Sequence, residues 1–246
     1  MGFEVVTFAT HSERMFPQLM NSGYSIKVLG WGVKWENFNT KIKGVLEYVK
    51  TKNPDDIIVC VDAFDTEILR DPREAEQLFK DMNCGFLVSY DILNSDFILE
   101  HFKLKFGTCK DNITANMGLW MGYVKYIIPI LEDILKTPCG DDQINFNSLC
   151  SKYRDVIKID VEKKIFANLE DTNSIFKGFP GTGKLHIKTY IKDILPHFII
   201  QYTFIFLCLL ILFPKYKLIL IAVYTTLLIT FIFMSDKKCI NIKKFN

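Results

Sequence analysis

Two aspartates that follow an apolar run have the residue type and spacing to bind a divalent cation. Asp62 and Asp65 come directly after residues 57–61, Ile-Ile-Val-Cys-Val, and an Asn-Pro-Asp turn sequence precedes that run. A continuous apolar, β-branched run predicts a strand buried in a parallel sheet. Ligands of open α/β sheets bind beyond the carboxyl ends of the strands, and Mg²⁺ and Mn²⁺ favour carboxylate and phosphate oxygens. We therefore expect a metal site at these two aspartates; capping of the next turn is the alternative.

A glycine-rich segment near residue 180 is a candidate phosphate-binding loop. The stretch from Gly178 to Lys184 matches the G-x-x-x-x-G-K core of a P-loop. A nucleoside triphosphatase is disfavoured, because Leu185 stands where Ser or Thr would bind Mg²⁺ and residues 172–177 do not read as a convincing strand. The loop amides, together with Lys177 and Lys184, can still bind phosphate oxygens, and a plain turn is the alternative.

A second pair of carboxylates, Asp141 and Asp142, stands at the predicted start of a helix. Carboxylates there complement the helix dipole, which is a sufficient structural explanation. The functional alternative is an acidic pair that orients or deprotonates an acceptor hydroxyl. Hydrolysis through a catalytic triad has little support, because no Ser or Cys nucleophile comes with a recognisable partner.

Two tryptophans, Trp31 and Trp35, follow the second predicted strand, close to the glycines at positions 30 and 32. Either the indoles stack on a nucleotide base or they pack in the core. The neighbouring glycines indicate a loop, which favours stacking.

The elements that position these residues alternate between strands and helices. Predicted strands cover residues 3–9, 25–29, 57–61, 85–89, 116–122, 156–161 and 165–167, and predicted helices cover residues 12–20, 41–50 and 123–135, with others beginning near residues 71 and 140. Ser12 is the predicted N-cap of the first helix. This alternation predicts a mainly parallel sheet with helices on both faces.

Composition indicates one sizeable domain and an appendage. The chain has 246 residues and a formal net charge of +2, so nothing in its charge points to nucleic acid. Its seven cysteines are odd in number and include no C-x-x-C pair, which favours reduced thiols and a cytosolic location for the soluble part.

The C-terminal fifth of the chain is predicted to enter a membrane. Phe198–Phe213 and Leu218–Met234 are apolar runs separated by Pro214 and two lysines, and neither offers the polar face of a core helix. We expect a soluble domain over residues 1–196, a transmembrane helical hairpin over 197–236 and a basic tail over 237–246. Because the N-terminus carries no signal-like run, the soluble domain is placed in the cytosol.

An ordered series of motifs resembles the glycosyltransferase domain of the procollagen lysyl hydroxylases (the PLOD family) and their viral relatives. The motifs are residues 5–10 (VVTFAT), 29–35 (LGWGVKW), 59–69 (VCVDAFDTEIL), 116–122 (NMGLWMG), 141–143 (DDQ), 165–169 (IFANL) and the loop to Lys184. The resemblance covers roughly residues 3–196. It implies a GT-A fold, which is a Rossmann-like mixed, mainly parallel sheet flanked by helices, together with a UDP-sugar donor and Mn²⁺ or Mg²⁺.

The resemblance also implies roles for individual residues. Asp62 and Asp65 would bind the metal and the diphosphate; Thr7, Trp35 and Lys41 would line the nucleotide pocket; Gly178 and Lys184 would contact the diphosphate; Asp141 and Asp142 would face the sugar or the acceptor. The chain departs from the family at Lys177, which stands where the family has a metal-binding histidine, and its loop is one residue longer. Because a protonated lysine cannot ligate a metal, Lys177 either leaves the cation one ligand short or supplies charge in its place.

The expected function is therefore that of a membrane-anchored, metal-dependent glycosyltransferase. It would transfer glucose or galactose from UDP-glucose or UDP-galactose to a hydroxyl group of a protein or glycan. The alternative is a catalytically inactive GT-A module that binds nucleotide or scaffolds an assembly at a membrane.

Overall fold

A computed structural model of the chain describes residues 2–90, 106–169, 173–180 and 212–234, together with residues 203, 206 and 210. Its strands are β1 (Phe3–Phe8), β2 (Ile26–Leu29), β3 (Ile57–Asp62), β4 (Thr66–Ile68), β5 (Phe86–Tyr90), β6 (Ala115–Tyr123), β7 (Ile157–Ile159), β8 (Phe166–Asn168) and β9 (Phe176–Gly178). Its α-helices are α1 (Phe16–Met20), α2 (Phe38–Val49), α3 (Glu74–Asp81), α4 (Val124–Lys136), α5 (Asp142–Leu149) and α6 (Lys217–Met234), and a 3₁₀ helix covers Cys150–Tyr153.

The central sheet has the order β2-β1-β3-β6-β5-β7. Strand β1 pairs in parallel with β2 and β3, and β5 pairs in parallel with β7. Strand β6 is antiparallel to both of its neighbours, β3 and β5. The sheet is thus mixed and mainly parallel, with helices packed against it, and this part of the predicted fold is confirmed.

Strand β3 lies at the centre of the molecule and contributes to the apolar core on both faces of the sheet. Ile58 and Cys60 pack on the face covered by α2, α4 and α5, whereas Ile57, Val59 and Val61 pack on the face covered by α3 and the smaller sheet. Burial on both faces explains why this strand is continuously apolar rather than alternating.

A second sheet, with the order β4-β9-β8, covers the end of β3. Strand β9 is antiparallel to β4 and parallel to β8. The expectation that the residues before Gly178 do not form a strand is therefore wrong. Three-residue strands are too short to show periodicity, and this one is ordered by its pairing and by the burial of Phe176.

The first helix is shorter than predicted. It begins at Phe16 after Met15, which makes no side-chain cap, so Ser12 is not its N-cap. Helix α2, in contrast, begins three residues earlier than predicted, because Asn37 caps it by accepting a hydrogen bond from the backbone N–H of Asn39 at 2.9 Å.

The prediction of reduced cysteines is wrong for several positions. Cys109 and Cys150 form a disulfide with a Cα–Cα distance of 5.0 Å, and Cys139 is also disulfide-bonded. Cys60 and Cys84 are free thiols. The bonded pair is 41 residues apart in sequence, and only the packing of the segment before β6 against the end of α5 brings it together. The inference of a cytosolic location from cysteine usage therefore loses its basis.

In the predicted hairpin at 197–236, most of the first apolar run lies outside the described residues, as do the tail at 237–246 and Lys184. Within the part of the chain that the structure describes, none of the helices combines the length and apolar character needed to traverse a bilayer.

Candidate active site

A narrow cleft lies at the carboxyl end of β3. It is lined by residues from four separate stretches: Asp62, Asp65, Thr66, Asn116, Gly118, Leu119, Asn168, Gly178, Phe179 and Pro180. The central sheet supplies Asp62 and the middle of β6, and the smaller sheet supplies Thr66, Asn168 and Gly178. The fold thus places the two predicted metal-binding aspartates in one cleft with part of the predicted glycine-rich loop.

The smaller sheet fixes the wall of this cleft. Thr66 pairs with Gly178, which in turn pairs with Asn168, so the three residues form one row across the sheet. The backbone N–H of Phe179 donates to the carbonyl oxygen of Asp65 at 2.7 Å. This bond attaches the start of the glycine-rich segment directly to the aspartate turn.

The carboxylates of Asp62 and Asp65 carry more negative charge than their surroundings neutralise. Burial, followed by repulsion from the neighbouring Asp62, raises the pKa of Asp65 to about 7 against the opposing effects of Lys41 and Arg14. Burial likewise raises the pKa of Asp62, although Lys41 opposes this. A pair of buried like charges of this kind is what a divalent cation would neutralise.

The donor set around this pair fits a hard cation. The described residues contain no cluster of three or more His, Cys, Asp or Glu side chains that could hold a metal ion. Asp62 and Asp65 are therefore the two carboxylates that the cleft offers to a cation. The Thr66 hydroxyl lines the same cleft, is buried, and has no hydrogen-bond partner among the described residues. Mg²⁺ and Mn²⁺ commonly combine two carboxylates with water and substrate phosphates, so the residues present suit such an ion.

Strand β6 forms the floor of the cleft and approaches Asp62 closely. A Cβ at Gly118 would lie 2.8 Å from Asp62 Oδ2 and 2.9 Å from Asn116 Oδ1. Asn116 Oδ1 also accepts a hydrogen bond from the backbone N–H of Gly118 at 2.7 Å. Glycine at this position is therefore what allows the carboxylate to rest against the strand.

Asn168 is a cleft residue that was not among the predicted site residues. Its Nδ2 donates to the carbonyl oxygen of Tyr90 at 2.9 Å and to Ser89 Oγ at 3.3 Å. Its Oδ1 occupies the space beside Gly178, only 2.3 Å from where a Cβ would lie. Gly178, the first residue of the glycine-rich segment, therefore also makes room for the side-chain amide of Asn168.

Lys41 connects two of the predicted site carboxylates. Its ammonium lies 2.6 Å from Asp142 Oδ2 and 3.1 Å from Asp62 Oδ1, and it donates to the carbonyl oxygen of Met117 at 3.3 Å. Burial alone lowers the pKa of Lys41, but Asp142 and Asp62 outweigh it and raise the pKa above its ordinary value. The lysine is therefore charged and paired inside the protein.

The two aspartates at the start of α5 have different partners. Asp141 is the N-cap, and its Oδ1 accepts a hydrogen bond from the backbone N–H of Ile144 at 3.0 Å. Asp142 is buried against Lys41. The helix-start explanation thus accounts for Asp141, whereas Asp142 is connected to Asp62 and the cleft.

The predicted nucleotide-binding residues differ in their accessibility. Thr7 is fully buried and donates to the carbonyl oxygen of Val61 at 2.8 Å, so its hydroxyl supports the end of β3. Trp35 is 44% exposed and lies edge-on to Phe38 with ring centroids 5.5 Å apart. Phe38 in turn lies 5.7 Å from the ammonium of Lys41, so Trp35 is an exposed aromatic surface connected through Phe38 to the lysine that contacts Asp62.

Trp31 lies on the same loop and is 59% exposed. Its ring packs at 5.5 Å from that of Phe16, and the backbone N–H of Gly32 donates to the carbonyl oxygen of Thr10. Both tryptophans are therefore surface residues rather than core residues.

Lys177 does not face the cleft. It pairs with Glu67 in the smaller sheet, and successive side chains of a strand point to opposite faces, so Lys177 lies opposite to the side on which Gly178 contributes. Its ammonium is 5.1 Å from the ring centroid of Phe179. The cations that act on the pKa of Asp65 are Lys41 and Arg14.

Comparison with known proteins shows which family the chain matches. A family model described as the PLOD GT domain matches residues 2–199. No curated protein matches the chain. Among solved structures, the crystal structure of A197 from STIV is similar over 65% of this chain and 81% of A197, with 13% identity and a TM-score of 0.38, and this likeness carries no argument about function.

Proposed function

Because the chain belongs to the family of PLOD glycosyltransferase domains, we propose that it transfers glucose or galactose from a UDP-sugar to an acceptor hydroxyl with the help of Mn²⁺ or Mg²⁺. The observation that carries the proposal is the convergence of Asp62 and Asp65 in one cleft with the row of Thr66, Gly178 and Asn168. A family match alone supports glycosyl transfer in general; the cleft supports a metal and a diphosphate.

Asp62 and Asp65 would hold the divalent cation, which would neutralise the negative charge that develops on the UDP leaving group. The diphosphate is assigned to backbone amides of the glycine-rich loop beyond Pro180, because the Phe179 N–H is bonded to the Asp65 carbonyl oxygen and attaches the start of that loop to the aspartate turn. The amide groups of Asn116 and Asn168 present hydrogen-bonding atoms to sugar hydroxyls in the same cleft.

The nucleoside would lie on the loop after β2. Trp35 offers an exposed indole face, and stacking of a base on such a ring contributes about 1–3 kcal/mol. Thr7 supports this proposal only indirectly, because its hydroxyl is bonded to the backbone of β3.

Asp142 is the carboxylate best placed to act on the sugar or the acceptor. It shares the Lys41 ammonium with Asp62, whereas Asp141 is engaged at the helix N-terminus. The acceptor is proposed to be a hydroxyl group on a protein or glycan.

The test is metal-dependent binding and turnover of the donor by the full chain. Calorimetry with UDP is expected to show binding with Mn²⁺ present and at least about tenfold weaker binding without it. The double variant Asp62→Asn/Asp65→Asn should lose the metal-dependent part and the release of UDP from UDP-glucose or UDP-galactose. The matched control is Asp133→Asn, a buried carboxylate outside the cleft. UDP affinity that is the same with and without Mn²⁺ would contradict the proposal.

The second candidate is an inactive GT-A module that binds nucleotide. Lys177 stands where the family has its metal-binding histidine. Because Lys177 lies on the face of β9 away from the cleft, it does not take the place of that histidine as a metal ligand. This candidate predicts Mn²⁺-dependent UDP binding without any release of UDP from either donor, and the same assays separate it from the enzyme.

Membrane attachment is a further part of the proposal and is supported by the sequence alone. The apolar runs Phe198–Phe213 and Leu218–Met234 motivate it. The full chain should remain with membranes after alkaline carbonate extraction, and release into the soluble fraction would contradict an integral anchor.

A further inference from the structure

The ammonium of Lys41 is fully engaged by the protein itself. A lysine has three N–H donors, and three oxygen atoms surround this one, from Asp142, Asp62 and the carbonyl of Met117. The side chain is only 6% exposed. Hydrogen bonds to Asp62 and to the Met117 carbonyl and the ion pair with Asp142 hold the ammonium, so direct binding of the nucleotide by Lys41 would require one of these contacts to break.

These contacts join the elements that form the site. Lys41 lies in α2, Asp62 ends β3, Met117 belongs to β6 and Asp142 begins α5. One side chain therefore sets the distance between the helix that carries Asp142 and the cation-binding end of β3. The ion pairs also neutralise a carboxylate that would otherwise add to the charge of Asp62 and Asp65.

We propose that Lys41 is a positioning residue that holds Asp142 away from the cation-binding pair and leaves it directed to the sugar or acceptor. This inference rests on the proposed function, because it assumes a cation at Asp62 and Asp65. It differs from the role that the family resemblance implies for Lys41, which is to line the nucleotide pocket.

The role has a measurable consequence for metal binding. Lys41 places one positive charge 3.1 Å from Asp62 and so weakens the attraction of a free divalent cation. When Lys41 is lost, Asp142 becomes an additional unpaired carboxylate next to the site. The variant should therefore bind Mn²⁺ more tightly in the absence of nucleotide while its chemistry fails.

The experiment uses Lys41→Met in the full chain, which keeps the approximate length of the side chain and removes its charge. Titration with Mn²⁺ alone, monitored by electron paramagnetic resonance, should show that the variant binds Mn²⁺ about tenfold more tightly than the wild type does. At saturating Mn²⁺, UDP affinity should stay within about threefold, whereas kcat for UDP release from the donor should fall about 100-fold or more. The matched control, Lys52→Met, removes a lysine that pairs with Glu4 at 2.6 Å outside the cleft and should change none of these values.

A second variant, Asp142→Asn, keeps the inference testable if Lys41→Met does not fold. Asp142→Asn alone should lower kcat with little change in Mn²⁺ affinity, and adding it to Lys41→Met should return Mn²⁺ affinity towards the wild-type value. Loss of UDP affinity by about tenfold in Lys41→Met with unchanged Mn²⁺ affinity would overturn the inference and assign Lys41 to the nucleotide. Failure of the wild-type chain to bind Mn²⁺ would instead overturn the proposed function.

Discussion

Two groups of buried carboxylates in this protein have opposite electrostatic surroundings. At the carboxyl end of β3, Asp62 and Asp65 line one cleft and have raised pKa values, because burial, with repulsion from Asp142 on Asp62 and from Asp62 on Asp65, exceeds the effect of Lys41. Near the end of α4, Asp133 has a pKa well below its ordinary value, because Lys136, Lys152 and Tyr153 all donate to it.

The Asp133 group belongs to a region that is attached at several points. Lys136 Nζ and the Tyr153 hydroxyl donate to its carboxylate at 2.7 Å and 2.6 Å, and Lys152 Nζ also contacts it. The 3₁₀ helix that carries Lys152 and Tyr153 begins at Cys150, which is disulfide-bonded to Cys109. We call this set of contacts the 3₁₀ anchor.

This difference in charge pairing distinguishes carboxylates that stabilise the fold from carboxylates that we propose to bind a ligand. In the 3₁₀ anchor every negative charge is matched inside the chain, so its contacts contribute to stability. In the cleft the charge is only partly matched, which costs stability and makes the pair available to a cation. Substitutions in the two regions should therefore have opposite effects on stability and activity.

The largest expected effect comes from neutralising one carboxylate of the cleft. Asp65→Asn should lower UDP-sugar turnover by about 10²–10³-fold, because half of the carboxylate pair that we propose to bind the cation is lost. In the absence of metal at pH 8 the same variant should unfold at a higher temperature than the wild type, because a buried like charge is removed.

The corresponding change in the 3₁₀ anchor, Asp133→Asn, should leave turnover within about twofold and lower the free energy of unfolding by about 1–2 kcal/mol. Because the pKa of Asp133 is lowered by folding, its contribution is present above pH of about 4 and is lost as the pH falls further. The stability difference between the wild type and this variant should therefore shrink on acidification. A loss of stability in Asp65→Asn equal to that in Asp133→Asn would remove the distinction between the two regions.

The sequence predicts the cleft carboxylates well because their signal is local. An apolar run that is buried on both sheet faces is recognisable without any partner, and Asp62 follows it directly. The glycines of β6 and the amphipathic helix α2 are recognisable for the same reason. The two aspartates and the glycines of β6 also lie within the motifs that resemble the PLOD family.

The parts that the sequence did not predict depend on contacts between distant segments. Asn168 enters the cleft because β8 pairs with β9, and each of these strands has only three residues. The direction of Lys177 depends on the alternation of side chains along β9, where a shift of one residue would reverse it. The disulfide of Cys109 and Cys150 likewise requires the packed fold.

The next largest effect concerns the 3₁₀ anchor and its disulfide. The double variant Cys109→Ser/Cys150→Ser opens a covalent loop with a sequence separation of 41 residues, and it should lower the free energy of unfolding by about 2–4 kcal/mol. Mn²⁺-dependent UDP binding, measured well below the unfolding temperature, should stay within about twofold. Denaturant unfolding with and without reductant provides the check, since reductant should lower the stability of the wild type by at least this amount and should have a smaller effect on the variant, which keeps the disulfide of Cys139. A tenfold loss of UDP affinity would show that the anchor also holds the cleft.

The smallest expected effect compares two glycines of the same strand, Gly118 and Gly122. In Gly118→Ala the new Cβ would meet the movable ends of Asp62 and Asn116, so the carboxylate is displaced and Mn²⁺ affinity should fall about tenfold with little loss of stability. In Gly122→Ala it would meet the backbone oxygen of Gly85 at 2.9 Å, which cannot move as easily, so stability should fall by about 1–3 kcal/mol with Mn²⁺ affinity preserved. Mn²⁺ titration and thermal unfolding of both variants measure the two effects side by side. If both variants lost only stability, the close approach of Asp62 to β6 would be a matter of packing, and the floor of the cleft would behave like the 3₁₀ anchor.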